Sequence, residues 1–230
     1  MRITYISHSS FALRSGDRVL LFDYPSRGSL LPGAEKAARD AVRGSDLYVF
    51  ISHSHGDHYG RDVLNISKEA ERAEFIVSED VPLENSHRLA GGRRLNVDQL
   101  DIETFASNDA GVAYLIRVGD RLIYYGGDLA KWDWDEFDQG TRRYMVDVFG
   151  KMIRHLSELD VDVAFSNTDQ RLQSWAGALE FLDVVKPSYF VPMHTFGHHE
   201  WIDDLVERTD HPRDRIFRYD RPGDFVELGM

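Results

Sequence analysis

The first quarter of the chain is a series of short apolar runs broken by turn residues, the pattern of β-strands. Ile3-Thr4-Tyr5-Ile6, Phe11-Ala12-Leu13-Arg14 and Arg18-Val19-Leu20-Leu21-Phe22 are β-rich, and Ser15-Gly16-Asp17 joins the last two as a hairpin. Residues 25–33 read as a loop and 34–42 as a helix. Leu47-Tyr48-Val49-Phe50-Ile51 is apolar without interruption, which predicts a strand buried on both faces. A helix is expected over residues 62–73, a short buried strand over 74–77 and an alternating strand over 100–105. Residues 112–118 and 121–125 form a second hairpin about Gly119-Asp120. Tyr144, Val148, Met152 and Leu156 recur at helical spacing, so a helix is expected over 132–159, weakened by Gly140 and Gly150. A strand over 161–165, a helix over 175–185, a strand over 189–192, a helix over 200–208 and a strand over 225–228 complete the pattern. Strands dominate the first half and βα alternation the second, which predicts two sheets with helices packed outside.

The 230 residues suit one domain, and neither a linker nor a short-period repeat divides residues 1–230. Ten Tyr, thirteen Phe and four Trp supply a core, so global disorder is excluded. A net charge of −12 argues against a nucleic-acid partner, because the basic residues are scattered rather than gathered into a stripe. No apolar run approaches the roughly 20 residues that span a bilayer, so no membrane partner is expected. Met1 to Ile6 enter a strand-like run without a signal-peptide core, and the expected location is cytoplasmic. The chain has no cysteine, so any metal must be held by His, Asp or Glu.

Such residues are concentrated at one place. His53, His55, Asp57 and His58 lie together at the end of the buried strand 47–51. Imidazoles with a carboxylate are the ligands that zinc and similar borderline ions prefer. In an extended turn, side chains at i and i+2 point the same way, so His53 and His55 can share an ion. Gly56 lets the backbone bend Asp57 and His58 toward a second position. Asp128 and His194 each end a β-rich run as well, where a side chain can project into a cleft. Taken alone, Asp128 reads equally as a turn or cap residue and His194 equally as a core histidine.

The run His53-Ser54-His55-Gly56-Asp57-His58 resembles the signature of the metallo-β-lactamase-fold superfamily. His8-Ser9-Ser10-Phe11 and Leu21-Phe22-Asp23 are similar to its first hairpin. Gly126-Gly127-Asp128 is similar to the segment bearing its bridging aspartate, and Val191-Pro192-Met193-His194 to the one bearing its last ligand histidine. The resemblance extends over nearly the whole chain. It implies an α+β fold, a four-layer αββα sandwich of two mixed β-sheets flanked by helices, with the metal centre at one edge between the sheets. Residue by residue, it implies that His53 and His55 hold a first ion, that Asp57, His58 and His194 hold a second, and that Asp128 bridges both.

One departure stands out. Most relatives give the first ion a third histidine, three residues before a glycine that opens the next strand. Here the turn reads Ser107-Asn108-Asp109-Ala110-Gly111, with Asn108 at that spacing. An amide is a poor zinc ligand, so the carboxylate of Asp109 is the expected substitute, with simple capping of the turn as the competing role. The first site then binds weakly, takes a harder ion such as manganese, or stays empty. A subset of the superfamily shares a Ser-x-Asp-x-Gly turn, Gly-Asp-Leu followed by tryptophans, and Asp-x-Arg before a late helix. Here the last two read Gly127-Asp128-Leu129 with Trp132 and Trp134, and Asp169-Gln170-Arg171.

The implied function is a metal-dependent hydrolase that uses a metal-bound hydroxide on a small ester, lactone, amide or phosphodiester. Asp57 is its expected catalytic residue, orienting the nucleophile and taking its proton, and the cofactor is one or two zinc ions, with manganese or iron as alternatives. Two other readings stand beside it: an iron-dependent oxidoreductase on the same fold, and a non-catalytic metal-binding module. Asp23 is expected to hydrogen-bond a ligand imidazole. His8 is read as a partner of the site or as a structural residue of the first hairpin. Trp132 and Trp134 either wall the substrate pocket or pack, and His198 and His199 are expected to begin a surface helix.

Overall fold

The computed structural model describes residues 1–229. Their contacts fall into two compact units, residues 1–89 with 219 onward and residues 90–218.

The first unit is built on a seven-stranded mixed sheet in the order β13-β1-β2-β3-β4-β5-β6. Its strands are β1 (Arg2–Ser7), β2 (Ser10–Ser15), β3 (Arg18–Phe22), β4 (Asp46–Ile51), β5 (Arg72–Ser78), β6 (His87–Leu89) and β13 (Phe225–Glu227). β1 to β3 form an antiparallel meander, whereas β3 to β6 run parallel. Parallel neighbours need a crossover, and α1 (Ala34–Val42) supplies the one from β3 to β4. Its buried Ala34, Ala37, Ala38 and Val42 share a core with Val19, Leu21, Leu47, Val49 and Ile51. Alternation along β4 sends Tyr48 and Phe50 to the opposite face, where they are also buried. The uninterrupted apolar run therefore is a strand covered on both sides.

The second unit carries a six-stranded mixed sheet in the order β12-β11-β10-β9-β8-β7. It comprises β7 (Arg94–Val97), β8 (Leu100–Ala106), β9 (Val112–Val118), β10 (Arg121–Tyr125), β11 (Val163–Asn167) and β12 (Tyr189–Met193). β7 to β10 are antiparallel and β10 to β12 parallel. The crossovers are α3 (Gln139–Leu156) and α4 (Ala178–Val184), and α5 (Glu200–Arg208) follows the last strand. No helix among the described residues is long and apolar enough to cross a membrane.

The expected elements form, with three corrections. The helix expected over 62–73 is only α2 (Val63–Ile66) and a 3₁₀ turn, Ser67–Glu69, because residues from Arg72 onward are claimed by the ladder with β4. The long helix begins at Gln139 rather than near Trp132: Asp138 caps it, accepting hydrogen bonds from the amides of Gly140 and Thr141. Two short strands, β6 and β7, carried no apolar signal. β7 lies at a sheet edge and joins β8 through Asp98-Gln99, both at positive φ (47° and 71°), a turn made without glycine.

Candidate metal centre

The topology explains why the chemistry gathers where it does. β1 and β3 both run antiparallel to β2, and β4 runs parallel to β3, so the three share one carboxyl edge. His8 follows β1, Asp23 follows β3, and Ser52 to His58 follow β4. Loops at the carboxyl ends of parallel strands are where open α/β sheets place their ligands.

The loop after β4 is laced to Tyr24–Ser26. The amide of Tyr24 donates to the carbonyl of His58, that of Ser26 to Gly56, and that of Gly60 to Tyr24, at 2.9, 2.7 and 2.6 Å. Gly60 permits this approach: a Cβ there would sit 2.4 Å from the Pro25 carbonyl oxygen. Within the frame, fully buried Asp23 is the organiser. Its Oδ1 accepts the amide of Ser52 at 2.7 Å, and its Oδ2 accepts the Ser52 hydroxyl at 2.8 Å and His58 Nδ1 at 2.6 Å.

These bonds fix two tautomers. A carboxylate only accepts, so the proton of His58 sits on Nδ1 and its Nε2 presents a lone pair. The Ser52 hydroxyl gives its one proton to the carboxylate, the stronger acceptor. Its oxygen therefore accepts from His53 Nδ1, 3.0 Å away, and His53 likewise presents Nε2. The two fully buried rings lie with centroids 4.1 Å apart.

Asp57 is partly buried, with Oδ2 3.8 Å from His58 Nε2 and 3.5 Å from His8 Nε2. The His8 imidazole holds the Asp57 carboxyl well below the usual carboxylate range, against the opposing effect of burial and with help from His58. His55 is exposed, its ring centroid 4.7 Å from that of His53.

The second unit repeats the arrangement at the carboxyl ends of β10, β11 and β12, which bear Asp128, Asp169 and His194 respectively. Asp128 sits on a tight turn after Gly127 (φ +50°), whose carbonyl accepts from the buried Asn167 amide at 2.9 Å. The Asp128 carbonyl accepts from Trp132 Nε1 at 2.8 Å. His194 Nε2 lies 3.8 Å from Asp128 Oδ1, while its Nδ1 lies 3.4 Å from Asp169 Oδ2. Burial disfavours the charge on Asp169, but the Arg171 guanidinium and the His194 imidazole outweigh it and hold that carboxyl well below its usual range. Asp169 was singled out in the sequence only as part of Asp-Gln-Arg; its place behind His194 is a structural finding.

Asn108 and Asp109 part company. Asn108 is buried, donating to the carbonyls of Ala130 (2.6 Å) and Met145 (2.9 Å), and it ties the turn to the loop after Asp128. Asp109 is exposed and lines a cavity of about 170 Å³ together with Asp128, His194, Trp132, Trp134 and Arg171. Trp132 is buried and its ring centroid lies 5.3 Å from that of His194, so it both packs and walls the cavity. His199 precedes α5, as expected, and His198 stacks on Trp201.

The donor sets fit a divalent ion. Two ligands of one zinc ion lie no more than about 4.2 Å apart, twice a bond of about 2.1 Å. The Asp57–His58 and Asp128–His194 separations, both 3.8 Å, fall inside that limit. The imidazoles of His53 and His58 are backed at Nδ1 by a hydroxyl and a carboxylate, the support typical of metal-binding histidines, and a carboxylate oxygen of Asp169 lies 3.4 Å from Nδ1 of His194.

Residues 2–194 match the family described as the Beta-lactamase superfamily domain, and the chain belongs to that family. Its architecture is the metallo-β-lactamase fold. Among curated relatives, a metal-dependent hydrolase of Desulforamulus reducens is 25% identical over 217 residues, which cover 84% of each chain. Among solved structures, the metallo hydrolase Igni18 of Ignicoccus hospitalis has a TM-score of 0.64 at 17% identity, covering 98% of this chain and 97% of that one. CmlA of Streptomyces venezuelae, a diiron β-hydroxylase, has a TM-score of 0.53 at 14% identity, covering 84% of this chain and 44% of that one.

Proposed function

We propose that this protein is a metal-dependent hydrolase acting on a small ester, lactone, amide or phosphodiester. The observation that carries the reading is the Ser52–Asp23 pair, which accepts from Nδ1 of His53 and of His58, holds the proton of each ring there and so presents both Nε2 lone pairs beside an ionised Asp57. The proposed ligands are His53, His55, Asp57 and His58 from the first unit and Asp128 and His194 from the second, with Asp109 as the proposed substitute at the departed position. Zinc suits this nitrogen and oxygen set, with manganese or iron as harder alternatives. When bound, the ion supplies Lewis acidity, which draws charge from the scissile oxygen and brings the pKa of water toward neutrality.

The chain's own residues do the rest. Asp57, ionised throughout the neutral range, accepts a hydrogen bond from the attacking water and orients it. Asp23 and Asp169 hold the imidazoles so that their Nε2 atoms stay aimed. The cavity beside Asp128 and His194 is close in size to the roughly 150 Å³ that holds a benzene ring. Its Trp132 and Trp134 walls suit an apolar body of that size, which supports a small-molecule substrate rather than a polymer. Arg171 spends Nε and Nη2 on Asp169, and its Nη1 has no hydrogen-bond partner among the described residues, leaving a donor for a substrate oxygen.

The test is hydrolysis of chromogenic aryl esters, lactones and phosphodiesters by metal-loaded protein, chelator-stripped protein and Asp57→Ala. Turnover of at least one substrate class is expected, lost on stripping, restored by added ion, and reduced at least about 100-fold in Asp57→Ala. Turnover that survives both treatments contradicts the proposal. Elemental analysis of the same samples identifies the ion and separates zinc from iron chemistry.

A further inference from the structure

His8 is the one buried histidine near Asp57 to which the proposed function gives no task. It sits in the β1–β2 connection with φ +51°, a conformation any glycine or asparagine would adopt more cheaply. A turn alone does not call for an imidazole there. Yet the ring is 8% exposed and points inward, with its centroid 5.7 Å from that of His58 in an edge-on contact. Its backbone is held as well. The His8 amide donates to the Tyr5 hydroxyl at 3.1 Å, and Tyr5 is clamped between Tyr219 (4.0 Å) and Phe11 (5.3 Å). The turn is therefore fixed by a rigid post, and the cost of its backbone is met by packing. Strain of this kind gathers where a side chain must be aimed.

The aim is specific. One donor atom from each of His8, Asp57 and His58 lies within 4.8 Å of the other two. The gap from His8 Nε2 to Asp57 Oδ2 is 3.5 Å, whereas a charged imidazole–carboxylate hydrogen bond closes to about 2.7–2.9 Å. Two ligands on a tetrahedral ion with bonds of about 2.0 Å stand about 3.3 Å apart. The His8–Asp57 gap is nearer to that separation than to a hydrogen bond, and the His58–Asp57 gap of 3.8 Å lies on the same side.

We propose that His8 is a further metal ligand, completing through Nε2 the coordination of the ion held by Asp57 and His58. The proposal rests on the metal-binding reading above. A fixed third protein ligand at this edge tightens the ion and limits the coordination positions left for water and substrate.

Gln and Glu at position 8 share one shape and the same backbone preference, so both carry the same burden in the turn. Only Glu offers an anionic ligand. Cobalt(II) and zinc affinities of wild type, His8→Gln and His8→Glu, measured by competition with a chromophoric chelator, separate the roles. His8→Gln is expected to weaken binding about tenfold or more and to shift the visible absorption of bound cobalt, which reports ligand number. His8→Glu is expected to recover most of the affinity. Unchanged affinity and cobalt spectrum in His8→Gln overturn the proposal, as does equal loss in both variants, which would mark a role in the turn only. Wild-type protein that takes up no ion overturns the function proposed above and the role of His8 with it. Wild-type uptake with an unaltered Gln variant overturns the role of His8 alone.

Discussion

Asn108 shows what a single residue decides here. At the position where the family resemblance led us to expect a histidine, its amide bridges the Ala130 and Met145 carbonyls from a buried site. Asn108→Asp would turn two donors into a carboxylate facing two carbonyls, so it is expected to lower unfolding free energy by about 2–4 kcal/mol in urea titrations. An unchanged midpoint would mean that the turn is held by other contacts. The candidate donors His53, His55, Asp57, His58, Asp128 and His194 were legible in the sequence because each follows an apolar strand, a pattern visible in one dimension. The anchoring of Asn108 was not, since its partners lie 22 and 37 residues away. Nor was the backbone at His8, Asp23 and His194, with φ of 51°, 47° and 60°. No local residue preference announces a left-handed histidine, because tertiary packing holds it there.

Among the elements, β-strands with continuous or alternating apolar residues were read nearly to their ends and α1 and α5 from their first residues, but the start of α3 was not. Trp132 and Trp134 mimic the beginning of a helix, but their side chains are claimed by the cavity and by the loop after Asp128, and α3 waits for Asp138. That cap has a pH signature. The Thr141 hydroxyl, and then the Thr141 and Gly140 amides, lower the pKa of Asp138. A carboxyl lowered on folding adds stability above its unfolded value, about 3.9, and loses that contribution as pH falls through its folded pKa. Asp138→Asn keeps an oxygen that caps but does not titrate. The melting temperature of wild type should therefore exceed that of Asp138→Asn near pH 6, and the gap should close as pH falls below about 4. A gap that stays constant to low pH would show that the cap acts without its charge.

At the scale of the whole molecule, the chain builds each of its two units around one mixed sheet. Residues from Tyr219 onward return to the first unit, where Phe225–Glu227 pairs with β1 and Tyr219 stacks on Tyr5. The presence of two sheets was legible from the order of strands and helices. The return of the C-terminal segment was not, because pairing between residues more than 200 positions apart leaves no local trace. Both units place carboxylate and imidazole groups at the carboxyl edge of parallel strands, and the acidic chain, at net −12, offers divalent ions a favourable field. These groups are proposed to hold metal. The most direct test is the number of metal equivalents per chain after purification and zinc reconstitution, determined by elemental analysis for wild type and His58→Ala. One or two equivalents are expected in wild type and at least one fewer in the variant. A wild-type chain that retains no metal, or a variant that retains all of it, would rule out a metal centre built on these groups.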